Sequence, residues 1–383
     1  MTLQERLSRR KGERGSVAVL VAISMIVLAG VATLAVDYSY IVYKRSQLQN
    51  AADAAALAGA NVLLQYGTNH TAVTNVAVSY GQANLSDIDA KDLAVRNSDV
   101  TYPSTSSVQV EVGRTTERGN PVPMFLGRVL GWDKQDITAK GKAALFCSKS
   151  TKCLKPWSPP AKFTWNDTCD TNKKYAGNGQ LDAESTCEME SVSVQGYSNS
   201  DVGTQILLKF GDPSSTVTPG HYQAVDYPAV GNGTPQTGAS DYRLNIAGCT
   251  GSNNTDVKIG DQLQVETGNM TGPTQQGAAE LFNLDPDAVW DESTNTITNS
   301  SVSNDPMYNP RVVLIPFYDP RLPQVSGRNT VTVYQLGALF IEQVNGSGDV
   351  TGRFIKTMAV DPVRQANCNP SDVYGVSGAG LVQ

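Results

Sequence analysis

The sequence predicts an α+β protein with a long N-terminal transmembrane helix, a small α+β layer, and a β-rich, disulfide-containing domain beyond it. Three observations predict this. Ser16–Val36 is a run of 21 residues without a charge. The stretch that follows, Tyr38 to Gln65, contains no proline, and no glycine before Gly59. All six cysteines, and most of the short β-forming runs, lie after residue 146.

At 383 residues the chain exceeds what one hydrophobic core usually holds, so two or three folding units are expected. A hydrophobic fraction of 40% with only 17% charged residues excludes a wholly disordered chain. The formal charge of −6 is unevenly spread, because residues 1–15 carry Arg6, Arg9, Arg10, Lys11 and Arg14 against Glu5 and Glu13. The body is therefore more acidic than the whole. It offers no positive surface from which phosphate could release counterions, so no nucleic-acid partner is expected.

The uncharged run spans roughly 30 Å as a helix, the thickness of a bilayer's hydrocarbon core. Its boundaries, Ser16 and Val36, and its small residues Ala22 and Gly30 mark the expected anchor. The basic tail at 1–15 places the N-terminus in the cytoplasm by the positive-inside rule. A cleaved signal peptide is the competing reading, with Thr33-Leu34-Ala35 as a small-x-small site. Secretory apolar regions are shorter than this one, and the helical pattern continues past any such cut. The membrane helix is thus expected to continue outward as one rod, an inner-membrane anchor with everything after residue 37 periplasmic or extracellular.

The outer half of the rod is rich in alanine. Ala52, Ala55, Ala56 and Gly59 form a small-residue face, which lets helix backbones approach closely. That face is expected to pack against other helices.

After the rod, residues 71–85 read as a second helix. Residues 92–97 and 107–114 read as strands, with Val108, Val110 and Val112 on one face. Pro121 and Pro123 open a short apolar helix at 124–131, and a strand at 136–146 closes a module spanning 37–146. The proline-rich stretch within 147–160 is the boundary. In 161–383, β-forming runs at 191–195, 204–210, 242–246, 262–266, 311–317, 329–344 and 352–360 alternate with turn residues. A β-sandwich-like domain with one helix at 275–284 is expected.

The cysteines fall at Cys147, Cys153, Cys169, Cys187, Cys249 and Cys368. With no CxxC and only two histidines, they read as disulfides in an oxidising compartment. Sequence proximity suggests Cys147–Cys153, Cys169–Cys187 and Cys249–Cys368, one of fifteen open pairings.

The segments ERGSVAVLVAIS at 13–24 and LAVDYSYIVYKRSQLQNAADAAALAGA at 34–60 resemble the N-terminal module of TadG-like, Tad-domain proteins of the tight-adherence (Flp, type IVc) pilus machinery. The aspartate at the membrane exit, followed by the QNAADAAALAGA run, is the specific part. MFLGRVLG at 124–131, ITAKGKAAL at 137–145 and GNMTGPTQQG at 268–277 are similar in outline. The resemblance implies a pilin-like helix and partners among pilus or pilus-assembly proteins. Two departures matter. Major Flp pilins carry a glutamate five residues after the glycine at which they are cleaved, whereas Gly15 is followed by Ser16-Val17-Ala18-Val19-Leu20. An unprocessed anchor is therefore expected. The DxSxS metal site of some relatives is missing, since Asp37-Tyr38-Ser39-Tyr40-Ile41 lacks the second serine.

One stretch has the residue types of a calcium loop: Asp170, Asn172, Asn178, Asp182 and Glu184 around an Asn-Gly turn. A four-residue insertion (173–176) breaks the standard spacing, and Cys169 and Cys187 flank the segment, so a disulfide-closed loop without metal competes. No other cofactor is suggested. His70 and His221 lie in no triad context and no GxSxG occurs, so no enzyme is expected. Four tryptophans, Trp132, Trp157, Trp165 and Trp290, raise a carbohydrate platform as the alternative to core burial. The reading is a pilus-assembly or minor-pilin-like component acting by association. The alternatives are a membrane-anchored surface adhesin or glycan-binding protein, and a membrane-tethered hydrolase.

Overall fold

Helix α1 (Leu3–Tyr66) runs unbroken for 64 residues in the computed structural model, which describes residues 3–67, 69–85, 91–211, 222–322, 329–365 and 376–382. Nothing between Ser16 and Ala58 interrupts it except Gly30, and a single glycine costs a long helix only about 1 kcal/mol. Its early part is long and apolar enough to cross a membrane. The described side chains there, from Val17 through Leu28 and on to Val36, are exposed, with Ile26 at 72%. From Leu48 onward the helix changes character, and Leu48, Ala51, Ala52, Ala55, Ala56, Ala60 and Leu63 are buried.

The chain forms two compact units, the first from α1 up to Val62 together with residues 68–144, the second from 63–67 and 145–380. In the first unit, α2 (His70–Ala83) is capped by Asn69, whose side chain accepts from Ala72 N. Strands β1 (Val100–Ser104) and β2 (Ser107–Arg114) form an antiparallel hairpin. The two-residue strands β3 (Val122–Pro123) and β4 (Lys134–Gln135) form a second hairpin. Strand β5 (Ile137–Cys147) pairs antiparallel with β2 from Ser107↔Ala144 to Arg114↔Ile137. Val108, Val110 and Val112 all point inward at 0% exposure, as their period-two spacing requires. Residues 92–97 form no strand: Lys91–Ala94 is a helical turn, and Ala94 and Val95 are buried, with Val95 against Gly81 of α2. The expected helix at 124–131 shrinks to the 3-10 turn Gly127–Leu130, for a reason given below.

The second unit centres on one six-stranded antiparallel sheet. Its strands are β6 (Gln205–Lys209), β7 (Val225–Asp226), β8 (Gln262–Val265), β9 (Val312–Tyr318), β10 (Thr330–Val344) and β11 (Val350–Ile355). The order is β7-β8-β10-β11-β6, with β9 also paired to the long central β10. Both faces are buried, so β9 and β10 read as nearly continuous apolar runs. Helices α3 (Ala239–Ala247) and α4 (Thr271–Phe282) pack on one face through Tyr242, Ile246, Ala278 and Leu281, against Ile315, Phe317, Leu339 and Phe354. Leu263, Leu314, Val331, Leu336 and Phe340 form the core on the other.

Among the described residues, helices rather than a second sheet cover the first of these faces, which departs from the expected β-sandwich. The run at 242–246, expected as a strand, is part of α3: Tyr242, Asn245 and Ile246 are buried at helical spacing against α4. The strand expected at 191–195 shortens to Ser193–Val194, because the helix Thr186–Ser191, capped by Ser185 Oγ on Glu188 N, runs up to Ser191. Helix α4 begins four residues earlier than expected, with Met270 in the left-handed region (φ 50°) leading into it.

Two described bridges join Cys153 to Cys249 and Cys169 to Cys187. Cys147 is also disulfide-bonded, and Cys368 lies outside the described residues. The Cys147–Cys153 pairing suggested by proximity is thus not made, and Cys249 is not available to Cys368. Residues Ser150–Thr151 pair as a strand with Val257–Lys258, and an extended run of six residues reaches up to roughly 20 Å, beyond a disulfide. Asn253 then holds the Cys153 segment beside Cys249: its carbonyl accepts from Cys153 N (3.0 Å), and its amide donates to Leu154 O (3.1 Å) and Gly248 O (3.0 Å).

Lys155 is buried and donates to Gly248 O (3.0 Å), and burial pushes its ammonium from the ordinary 10.5 down to about 8. A folded value below the unfolded one means that the unfolded chain holds more protons between about pH 8 and 10.5, so stability rises with pH across that window. Lys155→Met should flatten the rise by up to about 1.4 kcal/mol per pH unit, read from urea unfolding at pH 8, 9 and 10. Asn253 still satisfies Gly248 O in that variant.

Candidate functional site

The small-residue face of α1 is used inside the first unit. Ala52, Ala55 and Ala56 are fully buried and Gly59 is buried with them. A Cβ on Gly141 of β5 would lie 2.5 Å from the Ala52 carbonyl carbon and oxygen, so strand and helix backbones touch there. Gly81 of α2 meets the Ala55 side chain, and Gly59 meets Val108 of β2 and Ala77 of α2. Gln49 clamps the same junction, donating to Lys140 O (2.9 Å) and Asp53 (3.0 Å). The face expected to receive other helices is therefore covered by the chain's own α2 and sheet. Small residues permit such close approach, and here the approaching backbone belongs to the chain itself.

Asp37 follows the uncharged run directly, yet its side chain is only 2% exposed. Its carboxylate accepts from the backbone N–H groups of Phe125 (2.9 Å), Leu126 (3.1 Å) and Gly127 (2.5 Å). Three consecutive N–H groups aimed at one carboxylate form an anion cradle like that of a helix N-terminus, with the anion supplied by another part of the chain. The 124–131 segment is a turn because it is the tip between the paired strands β3 and β4, and Gly131, in the left-handed region at φ 87°, ends it after one turn. Met124 N to Asp133 O (3.0 Å) and Trp132 N to Gly127 O (2.9 Å) close the hairpin tip. The Tyr40 and Phe125 rings meet edge to face at 4.9 Å. Asp37 and MFLGRVLG, 88 residues apart in sequence, are thus one structural unit. Sequence reasoning noted both and gave neither a role, since nothing in the spacing couples them.

At the anchor, Ser16 lies in α1, Ala22 and Val36 are exposed, and Gly30 has no atom within 4 Å of a built Cβ. Among the described residues, nothing packs around Gly30.

The oxygen-rich segment of the second unit is spent on its own hydrogen bonds. Asp170 accepts from Asn172 N (2.8 Å) and Ser185 Oγ (2.6 Å), bonds that hold its carboxyl below the usual range. Asn172 Oδ1 accepts from Lys174 N (3.0 Å) and Asn178 donates to Asp182 (2.6 Å). Glu184 accepts from Tyr175 OH (2.6 Å) and Lys174 Nζ (3.0 Å), which lower its pKa. Among the described residues no group of three or more His, Cys, Asp or Glu is placed to hold a metal. The inserted Lys173–Ala176 supplies the ammonium and hydroxyl that occupy Glu184. Calcium is accordingly expected to leave the melting temperature of the chain unchanged in calorimetry. Replacing Cys169 and Cys187 by serine is expected to cost about 3 kcal/mol, since their bond closes a loop of 18 residues.

The GNMTGPTQQG stretch at 268–277 is clasped from both sides. Thr271 Oγ1 donates to Ser347 O (3.1 Å) and Gln275 to Gly346 O (2.8 Å), while buried Lys209 donates to Asn269 Oδ1 (3.2 Å). Trp157 is in the core and donates to Tyr242 OH (2.9 Å), and Trp165 packs on Phe163. Trp290 lines a cleft of about 680 Å³ with Val202, Ile297 and Ile355, and Trp132 belongs to the first unit. The ring of His70 stacks on Tyr102 at 3.9 Å, and Tyr102 OH donates to His70 O; His221 lies outside the described residues.

Residues 15–62 match a family model, Tad, described as putative Flp pilus-assembly TadE/G-like. No curated protein and no solved structure matches the chain. The match begins at the foot of the apolar run, contains Asp37 and the buried alanine face, and ends as α1 leaves the first unit. The chain is thus a membrane-anchored, disulfide-containing protein that carries, over residues 15–62, a segment similar to the TadE/G-like proteins of Flp pilus assembly.

Proposed function

We propose that this chain is an envelope component of a Flp pilus system that works by association rather than turnover. Ser16–Val36 sits in the inner membrane, the basic tail stays in the cytoplasm, and both folded units lie on the other side, where disulfides form. Its partners are pilus subunits or assembly proteins. The observation that carries this reading is the bare apolar half of α1, exposed from Val17 through Leu28 within the very segment that matches the family. With Ala52, Ala55, Ala56 and Gly59 already covered, helix contacts in the membrane fall to the stretch that holds Ala18, Ala22 and Gly30.

Ala22→Leu with Gly30→Leu tests it, because neither side chain touches the folded units. Expected are lost or altered pili and loss of co-purification with pilus components, at unchanged abundance and thermal stability. Normal pili and unchanged co-purification overturn the reading, and normal pili with lost surface attachment favour an adhesin. Alkaline phosphatase fused after Tyr66 is expected to be active, since it matures only outside the cytoplasm. An inactive fusion reverses the orientation.

A further inference from the structure

The hairpin tip held by Asp37 exposes a cluster of large apolar side chains: Phe125 at 58%, Leu126 at 39% and Trp132 at 61%. In a water-facing loop, three such residues together are unusual, and they mark a contact surface. Their position along α1 is fixed. Asp37 is the first residue after Val36, and its carboxylate binds the tip at Phe125, Leu126 and Gly127. Tyr38 and Tyr43 of α1, both more than half exposed, stand within two turns of the same level. Arg128 and Lys134 are exposed on the tip, with Asp133 between them in sequence.

We propose that the Phe125–Trp132 tip docks into the interfacial layer of the lipid bilayer that its own helix crosses. Aromatic rings with polar edges favour the headgroup level, and arginine and lysine beside them reach the phosphates. The contact continues the lipid-exposed surface of Val17–Val36, and so rests on the reading of that segment as a membrane span. The buried carboxylate is the tether that sets the depth. The first unit is then seated on the membrane at two points, the helix and the tip, which fixes its tilt.

The test uses the full-length chain reconstituted in phosphatidylcholine–phosphatidylglycerol vesicles, with Trp132 emission taken as the difference between wild type and Trp132→Phe. Lipid brominated on acyl carbons close to the headgroup is expected to remove about half of that emission, and aqueous acrylamide to have little effect. Asp37→Ala, which cuts the tether and leaves the anchor, is expected to lose the bromolipid quenching. Retention of the chain on alkaline washing with Trp132 quenched only from water overturns the docking alone. Loss of the chain from the vesicles overturns the anchor and the docking with it. Shielding of Trp132 that requires a second pilus protein in the vesicle also overturns the proposal, in favour of a protein contact.

Discussion

Gly141→Ala is expected to cost about 3 kcal/mol, the largest effect of any single methyl group in the first unit. The added carbon would sit 2.5 Å from the carbonyl carbon and oxygen of Ala52 and 2.7 Å from Asp53 N. These are backbone atoms of a helix, so no side chain can rotate away. Helix and strand must separate, and every contact along the Ala52–Ala55–Gly59 face loosens with them. The check is hydrogen exchange of the β2 amides, which should lose protection by about a hundredfold or more at 3 kcal/mol. Gly30→Ala is the control. Nothing lies within 4 Å of its Cβ, so it should leave exchange unchanged.

Asp37→Ala is expected to remove the protection of three amides together, those of Phe125, Leu126 and Gly127. Hydrogen bonds to an ionised acceptor contribute about 1.5–3 kcal/mol each, and donors left without one cost about as much unless water reaches them. Asp37 is 2% exposed and its bond from Gly127 is buried, so water replaces the lost acceptor only as the hairpin opens. A net loss of about 3 kcal/mol in the local opening of the hairpin is therefore expected, with β1 and β2 unaffected. Asp37→Asn keeps one acceptor oxygen and should lose roughly half as much. Equal exchange at the three amides in wild type and Asp37→Ala would refute the cradle.

The apolar helix, the unbroken rod and the alternation of β2 were legible because each follows from a local period. Twenty-one uncharged residues need a bilayer or a core, whatever surrounds them. Val108, Val110 and Val112 declare a strand with one buried face. Other readings failed where the period was short or shared. Tyr242–Ile246 suits a strand by composition, and it became helical because α4 offers it a buried face. The segment at 124–131 has an apolar helical look, but the pairing of β3 with β4 leaves it only a hairpin tip, which Gly131 closes at φ 87°.

The cysteines show the same limit. Cys153 and Cys249 are 96 residues apart in sequence and 4.9 Å apart between Cα atoms, a closeness made by Asn253 and by the strand pair Ser150–Thr151 with Val257–Lys258. The acidic segment between Cys169 and Cys187 reads as calcium-like from its oxygen atoms alone. Only coordinates reveal that Ser185, Lys174, Tyr175 and Asn178 already occupy those oxygens.

By itself the sequence determined that this chain has an apolar helix able to cross a bilayer, an alanine-faced extension of that helix, and a β-rich cysteine-bearing body. These are properties of composition and period, read within a few residues of one another. The tertiary structure decided what the alanine face touches, what the buried Asp37 binds, and which cysteines meet. Each of those depends on bringing together residues tens of positions apart, and the free energy that does so comes from packing shared across the whole unit rather than from any local signal.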